Sequence, residues 1–194
     1  MKRIMMSVLA LTLTATLVHA QEARKAFEAG KYQAVVEQVG PDADPASVYL
    51  QGLAFQKLGQ NDQAKQAFDK LGGGGDTWKA VGESASALID GNQDGALQAA
   101  EGAAAAEGAP AEAQYQLGLA LIARNEQARA AAAFEKATQA SPDMAYAHYQ
   151  AGMAYYKAKR VDKMAVFFEN FLRLAPKAPE RPAVESVMRT IRGR

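Results

Sequence analysis

Few side chains in this sequence have the type and spacing that enzyme chemistry requires. Cysteine is absent and histidine occurs only as His19 and His148, so a cysteine nucleophile, a thiolate metal site and a two-histidine zinc site are nearly excluded. The acidic residues are scattered singly rather than paired for acid–base catalysis. The run Gly72–Gly75 lacks the GK[ST] ending of a phosphate-binding loop. We therefore predict a non-enzymatic protein without catalytic residues, cofactor or metal, in which His148 is a packed side chain.

One group of side chains does suggest binding. Tyr146, Tyr149, Met153 and Tyr156 follow i, i+3, i+7, i+10 spacing, which places them in one stripe along a helix. Such a stripe commonly belongs to the core, where stacked neighbouring helices cover it. The alternative is an adaptable apolar floor for a peptide or a partner helix, because tyrosine and methionine accommodate varied apolar surfaces. The sequence leaves both interpretations open.

The first 20 of the 194 residues have the pattern of an export signal. Two basic residues precede an apolar run of 15 residues, and small or aliphatic residues lead to a cleavage site after Ala20. A membrane-spanning helix usually needs roughly 20 apolar residues, so this run is short for a permanent anchor. We expect a chain that begins at Gln21 and resides in the periplasm or is secreted. An uncleaved inner-membrane anchor is the alternative.

The charges are balanced overall but unevenly distributed. Residues 21–194 contain 20 basic and 21 acidic residues, which argues against a nucleic-acid partner. Residues 21–156 carry a net charge of −7 and residues 157–194 a net charge of +6. Basic residues near the C-terminus of a helix are favoured by its dipole. They also leave open a peripheral contact with an acidic partner or an anionic membrane surface. The basic residues of the closing segment include Arg181, Arg189, Arg192 and Arg194.

Several residues recur at a fixed spacing, which indicates internal repeats. Glycine, phenylalanine and proline each recur 34 residues apart, and an earlier set of glycine, alanine and phenylalanine recurs at 66 residues. The second spacing is two periods less two residues. The pairs at 34 are Gly118 with Gly152, Phe134 with Phe168, and Pro142 with Pro176. The pairs at 66 are Gly52 with Gly118, Ala64 with Ala130, and Phe68 with Phe134.

These segments resemble the tetratricopeptide repeat, whose pattern is W-x2-L-G-x2-Y, then A-x3-F, then P. In each unit a small residue lies where two helices approach closely, a phenylalanine fills the space between them, and a proline ends the second helix. The matches in the first clear unit are Leu117, Gly118, Leu121, Ala130, Phe134, Ala137 and Pro142. Those in the second are Gly152, Tyr155, Phe168 and Pro176, with Met164 in place of alanine. A weaker copy has Gly52, Phe55, Ala64, Phe68 and Leu71.

The resemblance implies an all-α fold, a right-handed α-solenoid of stacked helix–turn–helix repeats with a C-terminal capping helix. The run Gly72–Gly75 predicts a break in helical structure, either a hinge between halves or a flexible surface loop. We assign residues 1–20 to the signal, 21–44 to a truncated opening pair, 45–76 to a weak repeat, 77–110 to a degenerate Ala-rich repeat, 111–144 and 145–178 to clear repeats, and 179–194 to the cap and basic tail.

The resemblance also places the second, fifth, ninth and twelfth positions of each first helix on a concave groove. Lys57 and Lys157, each next to the last groove position, are then candidates to hold acidic groups of a ligand. Tyr155, in contrast, takes a core position. The groove positions are Ala46, Tyr49, Leu53 and Gln56, then Glu112, Tyr115, Leu119 and Ile122, and finally Tyr146, Tyr149, Met153 and Tyr156.

Two functions remain open at this stage. The first is an exported scaffold that binds a peptide or partner protein in its groove, in the assembly or maintenance of a cell-envelope complex. The alternative is a structural subunit that forms a homo-oligomer through its Ala-rich middle unit.

Overall fold

The computed structural model of the chain describes residues 21–193, and every regular element in that range is a helix, which confirms the all-α prediction. The proposed signal, residues 1–20, lies outside the described residues. The helices are α1 at residues 21–28, α2 (Tyr32–Gln38), α3 (Pro45–Lys57), α4 (Asn61–Asp69), α5 (Asp76–Ile89), α6 (Gln93–Ala105), α7 (Ala111–Ala123), α8 (Gln127–Ala140), α9 (Ala145–Lys157), α10 (Val161–Leu174) and α11 (Arg181–Arg192).

Consecutive helices pack as pairs, and the pairs stack in chain order. α3 packs with α4, α5 with α6, α7 with α8 and α9 with α10, while the second helix of each of the first three pairs also contacts the first helix of the next pair. The result is the predicted solenoid of stacked helix pairs. In the part of the chain that the structure describes, no helix combines the length and apolarity needed to cross a bilayer.

Each clear repeat is held together by a glycine that receives a phenylalanine ring. A Cβ atom built on Gly118 would lie 2.4 Å from Cε1 of Phe134, and one on Gly152 would lie 2.4 Å from Cδ1 of Phe168. Real side chains do not approach so closely, so only glycine allows these rings to reach the backbone of the facing helix. The earliest repeat has the same contact between Gly52 and the ring of Phe68, at 2.3 Å.

The turn inside each pair uses one residue in the left-handed conformation. Gly59, Gly91, Asn125 and Lys159 occupy this place with φ of +74°, +74°, +61° and +59°. The next N–H in each turn donates to a carbonyl of the preceding helix, as Arg160 does to Tyr155 at 2.9 Å. These contacts satisfy carbonyl groups that the end of an α-helix otherwise leaves unpaired. The lysine is the least suitable of the four residues, because a Cβ atom is strained in this conformation.

Replacing Lys159 with glycine should therefore stabilise the fold. We expect the free energy of unfolding to rise by about 1 kcal/mol, since the strain of a left-handed lysine exceeds the entropy that glycine loses on folding. Urea denaturation of the wild type and of Lys159→Gly measures the change. The matched control is Lys136→Gly, an exposed position inside α8, where glycine should cost about 1 kcal/mol. Destabilisation by both substitutions would contradict the strain argument.

The glycine run Gly72–Gly75 does not break the helical structure where the sequence predicted a break. A 3₁₀ helix covers Lys70–Gly74, and only Gly75, at φ +97°, leaves the helical conformation. Two contacts explain the difference. The side chain of Leu71 is buried in the core, and a Cβ atom on Gly74 would lie 2.8 Å from Cγ of Pro45. Packing on both sides therefore outweighs the freedom of the glycine backbone.

The closing helix α11 covers the end of the stack. Its Val184 and Met188 are buried against the preceding elements, while Arg189 is exposed. Arg181 is held at the start of the helix, where Nη1 donates to the carbonyl of Leu172 at 2.8 Å. This arginine therefore joins the cap to α10 and is not a free surface charge.

Candidate partner-binding groove

Helix α1 lies across the surface that the first helices α3, α7 and α9 form together, which we call the groove. The ring of Phe27 makes edge contacts with the rings of Tyr146 and Tyr32, at centroid distances of 5.2 and 5.3 Å. Arg24 Nη1 lies 3.0 Å from Asp143 Oδ2, and the Glu28 carboxylate accepts a hydrogen bond from the N–H of Ala145. An apolar anchor and two polar contacts thus hold the chain's own helix in the groove.

A cavity of about 500 Å³ lies between α1 and the groove. Its walls are mostly carbon, from aromatic rings and aliphatic side chains. This volume falls within the range of ligand pockets in proteins. The lining residues are Arg24, Phe27, Glu28, Asp44, Ala46, Ser47, Tyr49, Leu50, Leu53, Glu112, Tyr115, Met144, Ala145 and Tyr146.

The predicted groove residues divide into two sets. Tyr49, Tyr115 and Tyr146 line the cavity, although only 2%, 6% and 7% of their surface is exposed. Leu119 and Met153 are half-buried and lie outside the cavity lining, and Tyr156 is 47% exposed outside it. The aromatic stripe of α9 is therefore divided among cavity wall, packed interior and free surface.

Tyrosines at the fifth position of the first helices also pack against the repeat phenylalanines. The ring pairs Tyr49–Phe68 and Tyr115–Phe134 have centroid distances of 5.9 and 5.5 Å. Tyr149 repeats the contact with Phe168 at 6.5 Å and lies 5.1 Å from Phe171. We predicted from the sequence that Tyr149 faces the groove. The structure corrects this, because its ring packs among core rings, and Tyr149→Ala is now expected to destabilise the fold.

A buried chain of hydrogen bonds fixes the back of the cavity. The Tyr49 hydroxyl donates to Gln116 Oε1 at 2.7 Å, Gln116 Nε2 donates to Ser84 Oγ at 3.1 Å, and Ser84 donates to the carbonyl of Ala96 at 2.8 Å. Every member of this chain has a partner, as buried polar groups require. Since its hydroxyl is already bonded, Tyr49 offers its ring to the cavity. Nothing in the spacing of Ser84 or Gln116 indicated this role.

The charged groups at the cavity are predominantly acidic. Glu28, Asp44 and Glu112 line it, and the single lining cation, Arg24, is paired with Asp143. Asp44 caps α3 by accepting hydrogen bonds from the N–H and hydroxyl of Ser47, at 3.1 and 2.7 Å. Burial raises the pKa of Glu28 to about 7, against the opposing effect of Arg24. Burial also raises the pKa of Glu112.

The two lysines predicted to hold acidic ligand groups lie outside the cavity lining. Lys57 Nζ is 3.9 Å from Glu180 Oε1, and Glu180 also accepts a 2.8 Å hydrogen bond from the hydroxyl of Tyr146. Lys157 is exposed at the end of α9. The charge that the cavity presents is therefore opposite in sign to the charge we predicted.

His148 and Tyr155 occupy packing positions outside the cavity. The imidazole of His148 is buried, and its Nε2 lies 3.0 Å from the carbonyl oxygen of Pro142. Tyr155 stacks on Phe167 at 5.6 Å and donates a hydrogen bond to Glu135. Among the residues from 21 to 193, no group of three or more His, Cys, Asp or Glu side chains is arranged to hold a metal ion.

The stability of the α1 contact should depend on pH through Glu28. Its pKa rises from 4.5 to about 7 on folding, so its contribution is complete below pH 4.5 and is lost as the pH rises through 7. Glu112 acts in the same direction, whereas burial lowers the pKa of His148 and gives it the opposite effect. The test therefore compares urea midpoints of wild type and Glu28→Gln between pH 5 and 8. We expect the variant to gain stability relative to wild type as the pH rises, and a constant difference would contradict the prediction.

Comparisons with known proteins give the repeats a family. Two family models described as tetratricopeptide repeat match the chain, one over residues 46–72 and 146–178 and the other over residues 111–144. No curated protein matches the sequence.

Solved structures with the same fold include other repeat proteins. A thermophilic TPR protein of Thermus thermophilus, TTC0263, is 18% identical with a TM-score of 0.62, covering 89% of this chain and 98% of that one. A crystal structure of MamA is 22% identical with a TM-score of 0.51, covering 64% of this chain and 74% of that one. At these identities the likeness concerns the fold alone. Together with the matched repeats, it shows that this chain is a member of the tetratricopeptide-repeat family.

Proposed function

We propose that this protein is a non-enzymatic scaffold that binds a segment of a partner protein in the groove, at the cavity beneath α1. Tetratricopeptide repeats mediate protein–protein interaction and are generally non-catalytic. The observation that carries the proposal is the cavity itself, because four helices contribute apolar side chains to one recess on the groove. An apolar recess with a charged rim suits an apolar side chain of a bound segment.

Helix α1 must be included in this account, because it covers part of the groove. Its contact uses one large apolar side chain, Phe27, with a half-exposed ion pair and one hydrogen bond at its side. Such a short helix has little stability without its packing partners. A partner segment therefore binds beside α1 in the cavity, or replaces α1 on the rings of the groove.

The experiment introduces a charge into the cavity wall. Leu53→Glu places a carboxylate at a half-buried lining position, whereas Val166→Glu places one at a site on α10 that is 56% exposed. Each variant serves as bait in affinity capture from a cell-envelope extract. We expect Leu53→Glu to lose the partner that wild type and Val166→Glu retain, with all three melting cooperatively. Equal capture by both variants would show that partners bind elsewhere.

We further propose that the protein acts in the periplasm, in the assembly or maintenance of a cell-envelope complex, after removal of residues 1–20. The support for this location is the signal pattern that ends at Ala20. Intact-mass analysis of protein recovered from a bacterial host that exports it should give a chain beginning at Gln21. A mass that retains residues 1–20 would favour the anchored alternative.

The structure gives the self-associating alternative less support than the groove. The alanines of the middle unit are already used internally, since Ala96, Ala100 and Ala103 are fully buried within the stack. They do not form a free surface of small residues for a second copy. Light scattering over a range of protein concentrations separates the two functions, and a mass that increases with concentration would favour self-association.

A further inference from the structure

We propose that the cavity beneath α1 selects partner segments in which a large apolar side chain is flanked by lysine or arginine. The apolar side chain enters the cavity, and the flanking cations bind the carboxylates of Glu28 and Glu112. This inference rests on the proposed function, because it defines the class of segment that the groove takes.

The apolar part follows from the lining. Phe27, Leu50, Leu53 and Met144 surround the space together with the tyrosine rings, and the Tyr49 hydroxyl is already bonded to Gln116. Few hydrogen-bonding groups are thus left in the wall to recognise a polar side chain. Methionine and aromatic rings adapt to apolar side chains of different shape. The cavity can therefore hold a large aliphatic or aromatic side chain without strict sequence specificity.

The cationic part follows from charge complementarity. Three lining residues are carboxylates, and Asp143 adds a fourth beside them, against the single guanidinium of Arg24. Within the described residues, neither Glu28 nor Glu112 forms an ion pair within 4.0 Å. A lysine or arginine at the rim would pair with these half-buried carboxylates, where charge-assisted hydrogen bonds are stronger than in water. An anionic segment would meet repulsion at the same place.

The ionisation of the rim supports the same assignment. Burial raises the pKa of both Glu28 and Glu112, so a bound cation is favoured as these groups ionise. The other charged groups near Glu28 are Arg24 and Lys25 on α1 and Asp143 before α9, and near Glu112 they are Arg24, Asp44 and Asp143. Raising the pH therefore weakens the hold on α1 and strengthens the attraction for a cation. We expect binding of a cationic segment to be tighter at pH 8 than at pH 5.5.

The test uses three short labelled peptides with the same Leu-Phe-Leu centre, flanked by lysines, by serines or by glutamates. Fluorescence anisotropy with the chain from Gln21 to Arg194 measures each affinity at pH 8. We expect the lysine peptide to bind about tenfold more tightly than the serine peptide, which is the effect of one hydrogen bond to a charged group. The glutamate peptide should bind most weakly.

Variants locate the site and separate the two parts of the proposal. Glu112→Gln should weaken the lysine peptide by about tenfold and leave the serine peptide unchanged. The matched control, Glu83→Gln on the exposed side of α5, should change neither. Leu53→Trp fills the cavity and should weaken all three peptides. Melting curves of the variants show whether each one is folded.

Three results would overturn the proposal. Equal affinity for the three peptides, with loss of binding in Leu53→Trp, would remove the preference for cations but leave the groove as the binding site. Binding that Leu53→Trp does not alter would show that the cavity is not used. No binding by any peptide would contradict the assigned class of segment, while the affinity capture with Leu53→Glu decides separately whether the groove binds a partner. Displacement of the lysine peptide by excess unlabelled chain would identify a second copy as the occupant instead.

Discussion

Replacing Phe134 with alanine should lower the free energy of unfolding by about 3–5 kcal/mol. The ring has no exposed surface, contacts the backbone at Gly118 and packs against Tyr115 at 5.5 Å. Removing it loses apolar burial and leaves a cavity that the surrounding helices cannot close, because α7 and α8 are fixed by their neighbours in the stack. Phe168 has the same contacts in the next repeat and should show a loss of the same size.

Thermal and urea unfolding of Phe134→Ala and Phe168→Ala measure these losses. Tyr156→Ala is the control, because its side chain is exposed and lies on the same helix as the packed residues. It should change the stability by no more than about 0.5 kcal/mol. Since the stability of a solenoid is a sum over units and their interfaces, the C-terminal half should melt first in both phenylalanine variants. A loss in Tyr156→Ala as large as in Phe134→Ala would contradict the packing described above.

Replacing Gly118 with alanine should destabilise the fold by about 1–3 kcal/mol through overpacking. The new Cβ atom would lie 2.4 Å from Cε1 of a ring that has no room to move. The matched control is Gly102→Ala, because Gly102 is also helical but has no atom within 4 Å of a built Cβ. There alanine should stabilise the helix by about 1 kcal/mol.

A second substitution tests the cause of that loss. In a Phe134→Leu background the smaller side chain relieves the contact, so Gly118→Ala should cost less than it does in the wild type. The difference is the coupling between the two positions, expected to be about 1–2 kcal/mol for residues in direct contact. An additive double variant would show that the glycine is required for another reason.

The stacked fold could be predicted because its determinants recur along the sequence. Gly118 and Gly152 share their spacing with Phe134 and Phe168, and the structure shows that these residues touch in pairs. The degenerate middle unit was also recognisable, because the Gly91 turn separates two segments of helical length and composition. Local contacts between neighbouring helices produce such periodic signals.

The position of α1 could not be predicted in the same way. Phe27 meets Tyr146 across 119 residues of sequence, and no repeat relates the two. The sign of the charge at the site depended on this contact, since Glu28 comes from α1 whereas Lys57 lies at the far end of α3. The glycine run was misread for a similar reason, because Leu71 and Pro45 hold it by tertiary packing.

The central claim is that partners bind at the cavity beneath α1. The chain contains no cysteine, so a thiol-reactive photocrosslinker can be attached at a single introduced site. We would place it at Leu53→Cys in the cavity wall and at Val166→Cys on the exposed side of α10, and irradiate each protein in envelope extract. The account predicts a partner crosslinked at the first site and not at the second, with modified partner residues in an apolar segment. Crosslinking of the same partner at Val166→Cys but not at Leu53→Cys would contradict it.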